Sequence, residues 1–135
     1  MRSPTRFALA GLSLLAAGLA GCASTPTLPS SRGDTGLVRI ERLTLDANRC
    51  WFKSNDPDFT GYTLAPELSS YSGRPRFLLV PRGQEDGLPL LVVEGREGQI
   101  DIAAYGPLMS QPIGTRIRAD LNRWIAGDDE CKAWH

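Results

Sequence analysis

The chain has 135 residues with 15 basic and 15 acidic side chains, so it carries no net charge at neutral pH. That length suits one domain, and without a block of basic residues there is no electrostatic footing for nucleic acid or an anionic membrane surface. Three cysteines and a single histidine leave a small inventory for metal or nucleophilic chemistry.

The first six residues carry Arg2 and Arg6 and no acid, and Phe7 to Ala20 is an apolar run of Phe, Ala, Leu and Gly with one Ser. Spanning a bilayer takes about 20 apolar residues, and Gly11, Gly18 and Gly21 weaken this stretch as a helix. A short cationic head before such a run is the signature of a secretory signal peptide. Its end, Leu19-Ala20-Gly21-Cys22, resembles the lipobox of bacterial lipoproteins at all four positions. The resemblance implies a diacylglycerol on the Cys22 thiol, cleavage before Cys22 and acylation of the new amino terminus. Ala23 in the next position points to the outer rather than the inner membrane. Cleavage after Ala20, with release of a soluble protein, is the competing reading of the same small residues.

Removing residues 1–21 takes away two basic residues and no acid, leaving 114 residues with a charge of −2. With Cys22 consumed by lipid, Cys50 and Cys131 remain as a pair in an oxidising compartment, the expected disulfide. "ASTPTLPSSRGDTG" (residues 23–36) is rich in Ser, Thr, Pro and Gly and reads as a disordered tether. As a flexible coil it spans roughly 20 Å, which keeps the domain close to its membrane.

From Leu37 to Trp51, Leu37, Ile40, Thr44, Ala47 and Trp51 recur at helical spacing, with Leu43 and Cys50 beside them and Asp34 or Thr35 placed to cap the start. "LVRIERLTL" also alternates as a strand, and Val38, Ile40 and Thr44 are β-branched. Asn55, Asp56, Pro57, Asp58 and Gly61 supply turn chemistry; the acids lack the ligand spacing of a calcium loop and read as a solvated turn. Tyr62 to Leu68 reads as a short strand that Pro66 confines to an edge. Phe77–Val80, Leu90–Val93 and the alternating run from Ile100 to Tyr105 give an antiparallel meander, with residues 94–99 as a hairpin connection. The last element is a helix with Ile113, Ile117, Leu121, Trp124 and Ile125 on one stripe, Arg116, Arg118, Asp120, Asn122 and Arg123 facing away, Pro112 in the first turn and Gly127 as the stop. The expected fold is α+β: three to four antiparallel strands packed by an N-terminal and a C-terminal helix, in a single domain over residues 37–135, with residues 22–36 as the lipidated tether. "RCWFKSNDPDF", "SGRPRFLLVP" and "RWIAGDDEC" resemble segments of small bacterial envelope lipoproteins, a resemblance that brings no activity with it.

The chemistry-bearing residues are few. His135 is terminal, Ser69, Ser70 and Ser72 lack an activating partner, and the only lysines, Lys53 and Lys132, lie in no serine–lysine motif. The pairs Glu85 with Asp86 and Asp128 with Asp129 sit in Gly-containing loops. The expectation is therefore no catalytic residue, no metal and no cofactor. Trp51, Phe52, Phe77 and Trp124 are expected in the core. Phe59, Tyr62, Tyr71, Tyr105 and Trp134 lie nearer loops, and Tyr71, Arg74, Arg76 and Tyr105 form the candidate binding surface, since Tyr and Arg are enriched at interfaces. The functional expectation is a non-catalytic envelope lipoprotein facing the periplasm, held to the membrane by lipid on Cys22 and binding another envelope protein or a glycan, with no role for nucleic acid. The alternative is a small-ligand-binding or enzymatic domain with a site between sheet and loops, for which Arg74, Arg76, Glu94 and Tyr105 are the candidate lining residues.

Overall fold

Thr35 opens the first helix: its hydroxyl accepts a hydrogen bond from the Val38 N–H at 3.3 Å, and helix α1 runs over Gly36–Ala47. The structure, a computed structural model, describes residues 35–69 and 72–132. The expectations for Cys22, the tether before Thr35, Tyr71, Trp134 and His135 fall outside those residues. Beyond Ala47 the winding widens into a π-helical turn over Asn48–Lys53. Ile40, Leu43, Thr44, Ala47, Cys50 and Trp51 are all buried. Their three- and four-residue spacing is that of a single helical stripe. Burial of that stripe outweighs the β-branched residues, and the strand reading of this segment falls.

A 3-10 turn over Pro57–Phe59 leads into the sheet. Its strands are β1 Tyr62–Glu67, β2 Arg76–Pro81, β3 Leu91–Gly95 and β4 Ile102–Tyr105. They pair antiparallel in the order β1-β2-β3-β4. A second 3-10 turn, Pro107–Ser110, precedes helix α2, Ile113–Ile125. The α+β meander is thus four-stranded. Ile100, expected at the head of the last strand, lies outside it and is 67% exposed.

Side chains alternate across the sheet. Phe77 and Leu79 of β2 and Leu91 and Val93 of β3 face the helices and join Ile40, Leu43, Trp51, Phe59, Ile117, Leu121 and Trp124 in one core. Helix α1 presses its first turn onto the end of β3. A Cβ on Gly36 would stand 2.3 Å from the Arg96 carbonyl oxygen, and one on Gly95 would stand 2.8 Å from the Gly36 carbonyl oxygen. Only glycine admits that approach. At the other end of the molecule α2 stops in a Schellman motif, with Gly127 at φ +96° and the Asp128 N–H reaching back to the Arg123 carbonyl at 3.1 Å.

That stop aims the following residues at the π-helical turn, where Cys131 is joined to Cys50 by a disulfide, their Cα atoms 5.0 Å apart. The bridge spans 81 residues and so ties the end of α2's trailing segment to the end of the first helical element. Replacing both cysteines with alanine should lower the unfolding free energy by about 2–5 kcal/mol, read as a fall in the urea midpoint. An unchanged midpoint would show that the bridge constrains neither state.

A candidate binding face and the ion network behind it

The register that sets the core also builds the opposite face of the sheet. Glu67 pairs with Arg76, Arg76 with Glu94 and Glu94 with Ala103, while Ala65, Leu78, Val92 and Tyr105 form the neighbouring row. Arg76 Nε donates to Glu67 Oε2 at 2.6 Å, and the Tyr105 hydroxyl donates to Glu94 Oε2 at 3.1 Å. Arg74, in the loop before β2, places Nη1 3.6 Å from Glu94 Oε1. Glu94 is the hub of this array and the least exposed of its charged members; Arg74, Arg76 and Glu67 are partly open to solvent. Tyr105 is 46% exposed. Val80 and Val92 on the same face are buried, Leu78 and Ala65 are half-buried and Ala103 is exposed beside the polar groups.

Three of the four residues expected to form a binding surface, Arg74, Arg76 and Tyr105, are therefore brought together, and Glu94 is what joins them. The sequence reading places Glu94 with Arg74, Arg76 and Tyr105 only in the alternative, ligand-site reading, and the structure sets it one register step from Arg76. The electrostatics suit recognition. The hydrogen bond to Glu67 raises the Arg76 guanidinium's pKa against the opposing effect of burial. Burial, reinforced by the bond to Glu94 and its charge, raises the Tyr105 phenol. Both groups are held in their protonated forms at neutral pH, as fixed donors beside two carboxylate acceptors.

On the helix side, a second set of charges corrects the sequence reading. Arg116 and Asp120, expected to face solvent, are buried. Arg116 donates to Asp56 and, at 3.0 Å, to Asp58 Oδ2, and lies 5.1 Å from the Phe59 ring centroid. Asp120 accepts from Trp51 Nε1 at 2.8 Å and from Arg123 Nη2 at 2.6 Å. Arg116 Nε lies 3.6 Å from Asp120 as well. The acids of the "NDPD" turn are thus clamped by a guanidinium rather than left to water. Burial pushes the Asp56 carboxyl up, but the bonds from Arg116 and the Asp58 N–H, with the guanidinium's charge, bring its pKa below the ordinary value. Phe59, expected near the surface, is fully buried and stacks on Trp51 at 4.5 Å. The polar partners named here all belong to the fold, so the network staples the turn and Trp51 to α2.

A third feature had no signal in the sequence reading. Between α1 and β1 runs a groove of about 580 Å³ lined by Glu41, Thr44, Leu45, Asn48, Leu64, Pro66 and Leu68. Leu45 stands on its rim, 68% exposed.

Among the described residues no cluster of three or more His, Cys, Asp or Glu side chains is placed to hold a metal ion. No helix among them is long and apolar enough to cross a membrane. Comparison of the chain with known protein families, curated proteins and solved structures found no match.

The Glu94–Tyr105 bond can be read directly. Glu94→Gln removes the charge that helps hold the phenol protonated, so the Tyr105 pKa should fall toward its ordinary value while the contribution of burial remains. A pH titration of ring-labelled tyrosine by NMR reports the change, and an unmoved Tyr105 curve would mean the two groups do not interact.

Proposed function

We propose that this chain is a lipid-anchored envelope lipoprotein whose α+β domain works as a non-catalytic binding module, and that the face carrying Glu67, Arg74, Arg76, Glu94 and Tyr105 is where its partner docks. The polar array carries this reading. Two guanidiniums, two carboxylates and a phenol lie together on this face, Arg76 bonded to Glu67 and Glu94 holding Tyr105 and Arg74. Such an array is pre-organised, which lowers the ordering cost of binding. Its donors have pKa values displaced upward, away from neutral pH, which serves hydrogen-bonded recognition better than proton transfer.

The anchor reading rests on Leu19-Ala20-Gly21-Cys22. A triacylated cysteine buries far more methylene than a single reversible chain. Ala23 directs such a protein to the outer membrane. Twelve residues then separate Cys22 from Thr35, where α1 begins. Within that reach the array engages a protein or glycan of the same envelope.

Two measurements test the two halves separately. Labelled palmitate should enter the wild-type chain and not Cys22→Ser; equal labelling would end the anchor reading. A photo-crosslinking residue at Ala103, beside Glu94 on the array, should trap a discrete adduct in intact cells. Arg76→Glu should abolish that adduct. An adduct of the same yield in the Arg76→Glu chain would contradict the docking face.

A further inference from the structure

Among the described residues, strand β1 lies at the border of the sheet and has β2 on one side only. The Arg82 N–H donates to the Gly61 carbonyl at 2.9 Å, and the register runs from Tyr62↔Pro81 to Glu67↔Arg76. In an antiparallel pair the bonded residues alternate. Gly61, Thr63, Ala65 and Glu67 therefore direct their main-chain groups at β2, while Tyr62, Leu64 and Pro66 direct theirs outward. Pro66 falls in the outward set, where its missing N–H costs no ladder bond. What remains on the border is a short docking ladder: the N–H and C=O of Tyr62 and Leu64, and the C=O of Pro66.

The groove lies along this same border. Helix α1 packs on β2, β3 and α2, and among the described residues it leaves a groove beside β1 lined by Leu64, Leu68 and Leu45. A strand added next to β1 would lie about 4.8 Å away and point every second side chain to the helix side of the sheet, into that space. Glu41 is the one ionisable residue in the lining. It is exposed and makes no ion pair among the described residues.

We infer that the β1 border and its groove bind an extended peptide segment of another protein, added as a fifth strand, with small apolar side chains at alternate positions and a Lys or Arg opposite Glu41. A second copy of this chain fits less well. Pairing β1 with its own copy about Leu64 would set each Tyr62 carbonyl against Pro66, which has no N–H to give. The strand Tyr62–Glu67 also brings an acid and no cation to Glu41. With two full rungs and one partial rung, the ladder suits a transient contact, and the groove supplies the selectivity.

The probe is a fluorescent, end-blocked hexapeptide, Lys-Thr-Val-Thr-Val-Thr, titrated by anisotropy onto the full chain in detergent micelles. Binding should slow hydrogen exchange in the segment carrying Tyr62 and Leu64. Leu45→Glu should weaken it by about tenfold or more, the scale of one lost apolar or ionic contact. Glu41→Lys should weaken it similarly and should favour the probe headed by Glu instead of Lys. Both positions are exposed, and melting curves check that the variants fold. The inference is overturned by no binding at millimolar peptide, by affinity indifferent to both substitutions, or by exchange protection away from β1. It is also overturned if the full chain self-associates and Leu45→Glu dissolves the association, which would make the occupant a second copy. None of these outcomes depends on lipidation of Cys22 or on the array of the opposite face.

Discussion

One buried hydrogen bond organises this domain. The Trp51 indole N–H reaches Asp120 across 69 residues of sequence, joining the helical element that starts the domain to the helix that ends it. The indole also stacks on Phe59, lies tilted against Trp124 and meets Phe77 edge-on. It thereby touches the 3-10 turn, α2 and β2 together. A buried carboxylate is costly unless it is paired and hydrogen-bonded, and Asp120 has Arg116 and Arg123 beside it as well. The position of α2 follows from where Asp120 must be, and the disulfide a few residues beyond α2 follows from that.

The division of the sheet into two faces is the second consequence. With both helices drawn to one side, the other side keeps its strand-by-strand alternation of charge and is covered by neither helix. The helices also stop short of β1, so neither of them covers its border. The same packing thus leaves one face polar and pre-bonded, and one edge apolar with main-chain groups to offer. Under the two proposals, a single domain offers two surfaces of different chemistry.

Much of the fold was legible because its elements announce themselves locally. Thr35 caps, Gly127 stops, Pro66 marks an edge, and the alternation around Phe77 and Val93 gives a sheet. The misreadings arose where a polar residue takes a core position. In α2, residues 113, 116, 117, 120, 121 and 124 recur at three- and four-residue steps, so Arg116 and Asp120 lie inside the buried stripe and not opposite it. Reading residue type ahead of position sent them to solvent. Phe59, isolated in a turn, has no period to reveal that it stacks on Trp51. The candidate face was partly legible from Arg74, Arg76, Glu94 and Tyr105, but Glu67, the partner of Arg76, needed the strand register. The groove depends on where α1 ends its packing, which no local pattern encodes.

The most direct test of this account is a double-mutant cycle between Trp51→Phe, which keeps an aromatic side chain but removes the N–H, and Asp120→Ala, with unfolding free energies taken from urea titrations. If the indole–carboxylate bond holds the two helical elements together, the pair should show a coupling of about 1.5–3 kcal/mol, the range for hydrogen bonds to charged groups. Strict additivity of the two substitutions would contradict it.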